Sequence, residues 1–81
     1  MPLSTLGARL AAARRHAGHT QRTLGQDADL GEGTISRYER DEMTPGVDVL
    51  VRIARATGVS IDWLATGEGE GPESNHGLVA E

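Results

Sequence analysis

The stretch "TQRTLGQDADLGEGTISRYER", Thr20 to Arg40, decides how this chain folds. Thr20 caps a short helix through "QRTLGQDA", whose inward residues are Leu24 and Ala28. Gly25 costs that helix about 1 kcal/mol against alanine, so the segment needs packing to persist. "DLG" then breaks the pattern: Asp29 tolerates the left-handed conformation of a tight turn, Leu30 plugs the corner, and Gly31 starts a third helix reaching about Arg40. Ile35 and Tyr38, three apart, give the third helix an inner face, while Glu32, Gly33, Ser36 and Arg37 fall mostly on the other side.

Working outward, Ser4 or Thr5 caps a helix through "LGARLAAARRHA", in which Leu6, Leu10, Ala13 and Ala17 recur at helical spacing and Gly18 closes the run. Arg14 lies at the edge of that inward face, and Arg9 and Arg15 look outward. Thr44 and Pro45 start a fourth helix with Val47, Leu50, Val51 and Ala54 on one face, ended by Gly58. Ser60 caps a last short helix, "IDWLA", ended by Gly67. No alternating strand pattern and no internal repeat appears, so the expected class is all-α, a compact bundle of five helices over residues 1–67. Residues 68–81, "EGEGPESNHGLVAE", have little to bury and read as an acidic flexible tail or linker.

Eighty-one residues make one small domain that buries about 60% of the surface of its unfolded chain, too little for a large enclosed active site. There is no cysteine, hence no disulfide framework and no thiolate metal site, which is compatible with a reducing cytoplasm. "MPLSTLGARL" lacks a secretory leader, and nothing approaches the ~20 apolar residues of a membrane span. The net charge of −4 is uneven: residues 1–67 hold eight arginines against eight acids and sum to zero, and Glu68, Glu70, Glu73 and Glu81 supply the deficit. All basic residues are arginine, which favours planar bidentate contacts, although a GC-rich genome gives the same bias.

Two short helices joined by a three-to-four-residue turn, the second with small and polar residues outward at its start, form the helix-turn-helix unit. Thr20-Gln21, Leu24, Leu30, "TISRYE" and Pro45, followed by "LVRIARATGVSIDWLATGEG", closely resemble the lambda-repressor/Cro type of helix-turn-helix domain, the xenobiotic-response-element family, over roughly residues 5–67. The resemblance implies a lambda-repressor-like bundle that binds double-stranded DNA. It makes Gln21 a phosphate contact that braces a base-reading side chain, and Glu32, Gly33, Thr34, Ser36 and Arg37 the groove-facing positions; the residues themselves add Arg40 as a second arginine able to face a groove and bind DNA. It also pairs Glu39 with Arg14 as a structural ion pair, and places the last helix near a two-fold axis, with Ile61, Leu64 and Ala65 as dimer contacts. Trp63 reads either as core or as part of that contact.

The residues themselves support several of these roles. Arg37 offers a donor fork matching guanine O6 and N7, unless an ion pair with Asp41 or Asp29 holds it. Glu32 suits cytosine N4, but a carboxylate in a first helical turn is already favoured by the dipole. Gly33 either loosens the helix start or lets backbone amides approach a phosphate. Arg37 and Arg40 face five acids, Asp29, Glu32, Glu39, Asp41 and Glu42, and the Asp41-Glu42 loop lowers general affinity for a polyanion.

The expected function is a sequence-specific transcriptional regulator, a repressor of the phage or plasmid kind, binding a palindromic operator as a homodimer in the cytoplasm. The alternative is a protein-interaction module on the same fold: an antitoxin, an anti-repressor, or the amino-terminal part of a longer regulator. His16 and His19 lack further ligands for a metal, "GEGEG" follows no strand, and Ser36 has no base near it in sequence. No enzyme activity, cofactor, metal, small-molecule ligand or membrane partner is expected.

Overall fold

A computed structural model of the chain describes residues 5–69 and 71–72. Five helices follow one another: α1 (Leu6–His16), α2 (Gln21–Ala28), α3 (Glu32–Glu39), α4 (Val47–Thr57) and α5 (Ile61–Thr66). Leu10, Leu24, Ile35, Ile53 and Leu64, one from each helix, are fully buried at their centre, with Tyr38 and Trp63 beside them. Helix α3 packs on α1 and α2, and α4 closes the far side of α2 and supports α5.

The caps explain the boundaries. Thr5 accepts from the Ala8 amide, Ser60 accepts from the Trp63 amide, and Thr20 and Thr23 form a reciprocal capping box at the start of α2. Asp29 takes the left-handed conformation after α2 (φ 61°), the turn its short polar side chain tolerates. Gly25 has a stronger reason to be glycine than weak propensity: a Cβ there would lie 2.6 Å from the Leu30 carbonyl, and the Leu30 amide donates to the Gly25 carbonyl at 2.7 Å. The missing side chain lets the turn fold back against α2.

The packing corrects the reading of Arg9 and of the fourth helix. Arg9 is buried, because α5 lies across that flank of α1. Helix α4 starts at Val47 from Gly46 rather than at Thr44-Pro45. Its buried stripe is Leu50, Ile53, Ala54 and Thr57, which turns Val47 out to solvent at 72% exposure. That register follows from α4 packing against both α2 and α5. Packing also continues past Gly67: Gly71 and Pro72 are buried, and a Cβ on Gly71 would overlap the Trp63 indole. The remainder of the acidic tail, Glu70 and residues 73–81, lies outside the described residues, as does Ser4. No helix among the described residues is long and apolar enough to cross a membrane.

Candidate nucleic-acid interface

Ile35 and Tyr38 anchor α3 from behind, so the helix presents its opposite face. Glu32, Gly33, Arg37 and Arg40 are exposed there, and Thr34 and Ser36 are half-buried. Glu32, Ser36 and Arg40 follow one another at four-residue spacing, with Gly33 and Arg37 alongside. A Cβ on Gly33 would meet nothing within 4 Å, so its openness faces solvent and no packing within the fold requires it. The Arg37 guanidinium forms no ion pair with a described residue; neither Asp29 nor Asp41 holds it.

The start of α2 is fixed against α3 by one carboxylate. Glu39 accepts from Arg14 Nε at 2.6 Å and Arg14 Nη2 at 3.2 Å, and Gln21 Nε2 donates to Glu39 Oε1 at 3.0 Å. Arg14 Nη1 also donates to the His19 carbonyl at 3.1 Å, so one guanidinium ties α1 to the loop before α2 and to α3. The Arg14 and Glu39 side chains are only 12% and 8% exposed, which shields this network from screening. Of the residues singled out from sequence, Arg14, Gln21 and Glu39 thus meet in one cluster at the junction of the three helices.

The loop after α3 has two acids with separate partners. Asp41 adopts a left-handed conformation (φ 60°), and its Oδ1 accepts from the Gly7 amide at 2.9 Å, serving the open amide end of α1. Gly7 must be small, since a Cβ there would lie 2.5 Å from the Glu39 carbonyl oxygen. Glu42 takes the Arg40 fork with both oxygens, from Nε at 2.8 Å and Nη2 at 3.2 Å, while Arg40 Nη1 donates to Ser36 Oγ. The hydrogen bond from Arg40 holds the Glu42 carboxyl below its ordinary range, with smaller electrostatic help from Arg40 itself and from Arg37. The same contact raises Arg40 above the ordinary arginine value.

Sequence reasoning missed two of these arrangements. Arg9 donates from Nε to the Leu64 carbonyl at 3.0 Å and from Nη2 to the Ala65 carbonyl at 2.9 Å, capping the carboxyl end of α5. The signal lay in its position: Arg9 precedes Leu10 and stands four residues before Ala13, on the flank of the buried stripe. The bond from Asp41 to Gly7 spans 34 positions and left no local signal. His19 faces Thr23 Oγ1 at 3.0 Å and the Ala56 carbonyl at 3.3 Å, bracing the α1–α2 turn on α4, and His16 is exposed.

At the other end of the bundle, Ile61 is 38% exposed and Ala65 is exposed, but Leu64 has no exposed surface and is unavailable to a partner. Its side chain fills the centre of the core, which corrects its placement among the dimer contacts. Ile61 instead borders a shallow recess of about 370 Å³ lined by Val51, Ala54, Arg55, Gly58 and Val59.

A helix-turn-helix family model matches residues 10–64. The HTH-type transcriptional regulator ImmR of Bacillus subtilis (strain 168) is 38% identical over 60 residues, covering 74% of this chain and 47% of that protein. The chain therefore spans about half the length of this curated relative. Among solved structures, the crystal structure of the P22 c2 repressor in complex with a synthetic operator superposes with a TM-score of 0.73 at 30% identity, covering 78% of this chain and 96% of that one. The solution structure of the P22 c2 repressor DNA-binding domain gives a TM-score of 0.76 at 30% identity, covering 83% of this chain and 88% of that one.

Proposed function

The chain belongs to the Cro/C1-type helix-turn-helix family, and from that premise we propose that it is a sequence-specific DNA-binding transcriptional regulator of the repressor kind. It docks residues 32–37 of α3 into the major groove and acts by occupying promoter DNA in the cytoplasm, without a catalytic step. The observation that carries this reading is the exposed face of α3, with the Arg37 guanidinium in no ion pair among the described residues and Ile35 and Tyr38 fixing the helix from behind.

Each groove-facing residue has a role. Arg37 reads guanine through its fork, Thr34 and Ser36 contact bases or phosphate, and Glu32 lies where a cytosine amine is reached. Gly33 admits the backbone to the groove floor. Gln21, held by Glu39, contributes its amide to the phosphate flanking the groove, and Arg40 supplies a second phosphate contact. Two copies related by a two-fold axis bring their α3 helices about 34 Å apart, one turn of duplex, and meet through Ile61 and Ala65.

Selection of bound duplexes from a random pool, followed by binding of Arg37→Ala to the selected site, tests the proposal. A palindromic site is expected, with a loss of about 1–3 kcal/mol for Arg37→Ala and relaxed preference at one base pair per half-site. Unchanged affinity and base preference in Arg37→Ala would refute the groove assignment. A protein that ignores duplex DNA even at low salt would instead be an interaction module on this fold.

A further inference from the structure

We propose that Glu42 is a built-in brake on phosphate contact: its carboxylate occupies the Arg40 fork in the geometry a DNA phosphate would take, and must be displaced before Arg40 can bind the backbone. The inference rests on the DNA-binding reading above and concerns how that face is regulated.

Arg40 ends the outward row Glu32, Ser36, Arg40, where the helix would leave the groove and meet the backbone. Its two parallel N–H donors are closed by the two oxygens of Glu42, and a phosphate presents an equivalent pair of oxygens to a guanidinium. The contact does not depend on a chance meeting of two long side chains. Asp41, held left-handed with its carboxylate on the Gly7 amide, turns the loop back. The Glu42 amide donates to the Arg37 carbonyl at 2.9 Å, aiming the side chain along the face of α3. Ser36 Oγ accepts from a third Arg40 donor, which ties the guanidinium back to α3.

Both side chains are more than half exposed, 57% for Arg40 and 52% for Glu42, so the pair is weak enough to open when a competing oxyanion arrives. Closed, it is locally neutral, so docking it against a phosphate releases few counterions. The brake therefore acts on the sequence-independent part of binding, which is the part that counterion release drives. Base contacts from Arg37 remain available while the clamp is shut.

The test is a double-mutant cycle of Glu42→Gln and Arg40→Gln, alone and together, with affinity for a short random-sequence duplex measured between about 50 and 200 mM salt. Thermal melts of the four chains establish that each is folded. Glu42→Gln is expected to bind about two- to fivefold more tightly, a gain matching the small strength of an exposed pair. Its plot of log affinity against log salt should steepen by up to about 0.9 per protomer. In the Arg40→Gln background, Glu42→Gln should change neither quantity. An unchanged slope in Glu42→Gln, or an equal steepening with and without Arg40, overturns the brake, the second because it would reflect only a generic loss of negative charge. Failure of all four chains to bind duplex overturns the DNA-binding reading itself, whereas binding by the parent chain with a flat response to Glu42→Gln removes the brake alone.

Discussion

Replacing Arg9 with methionine should destabilise the fold by about 2–4 kcal/mol, although methionine keeps the aliphatic volume and removes a buried charge. Two effects compete. Taking a guanidinium out of water is expensive, and exchanging a buried ion pair for apolar side chains is often neutral or favourable. That exchange requires both partners to go, and here two acceptors stay behind whatever replaces Arg9: the backbone carbonyls of Leu64 and Ala65, which no substitution at Arg9 removes. The Leu64 carbonyl lies in a buried contact, so leaving it without a donor costs about 1–3 kcal/mol. The Ala65 carbonyl is half-buried and partly recovers water. Loss of a cation from the negative end of α5 adds a few tenths of a kcal/mol up to about 1. At about 4–8 °C per kcal/mol for a domain of this size, the midpoint should fall by about 8–30 °C. Urea and thermal unfolding followed by circular dichroism and by fluorescence of Trp63, which lies on α5, should show coincident transitions at the lower stability. Arg9→Lys should fall between the two, since lysine keeps the charge without the two-pronged geometry. A loss below about 1 kcal/mol in Arg9→Met would refute the cap as a source of stability, placing it with ordinary surface exchanges.

Two further predictions concern the helix-turn-helix directly. Glu39→Gln keeps the shape but leaves the mostly buried Arg14 guanidinium without a counter-charge, and urea unfolding should show a loss of about 2–3 kcal/mol, below the 3–5 of a fully buried pair because some solvent reaches this one; a change within about 0.5 kcal/mol would show that the pair adds nothing. Gly25→Ala and Gly33→Ala separate helix propensity from sterics. By propensity both should gain up to about 1 kcal/mol, but Gly25→Ala drives a Cβ against the Leu30 carbonyl and should lose about 1–3 kcal/mol, while Gly33→Ala meets open space and should raise the melting midpoint. A rise in both midpoints would contradict the close approach at the turn.

What could be read from the sequence was local. Thr20, Ser60 and Asp29 sit within a few residues of the groups they cap or turn, and period and cap chemistry operate over that range. The inward stripe of α3 was legible for the same reason, because Ile35 and Tyr38 share one face whatever they pack against. The register of α4 was not: Val47 and Ile53 are equally apolar, and only the angle at which α2 and α5 meet the helix selects Ile53 for the core. The partners of Arg9, Gly7 and Asp41 were illegible because they lie 55, 34 and 34 positions away, although the place of Arg9 beside the buried stripe was a local hint. An arginine among alanines reads as solvated until another helix's carbonyls are brought to it.

The same distinction dissolves the apparent conflict between an acidic segment and a polyanionic ligand. Net charge over Asp29–Pro45 treats five carboxylates as one field, but each acts through its own neighbour at a few ångströms, where a paired charge projects little beyond the pair. Asp29 completes the turn of the helix-turn-helix, Glu39 neutralises Arg14 and holds Gln21, and Asp41 serves the amide end of α1. None of these three is aimed along the α3 face. Glu32 stands in the first turn of α3, where its charge complements the helix dipole. Among the five, Glu42 alone pairs with an arginine of that face: it closes the Arg40 fork and leaves Arg37 without an ion pair among the described residues. On the DNA-binding function proposed above, the acidity of the segment would divide base reading by Arg37 from backbone attraction by Arg40, favouring sequence-dependent contact over the binding that every duplex offers equally.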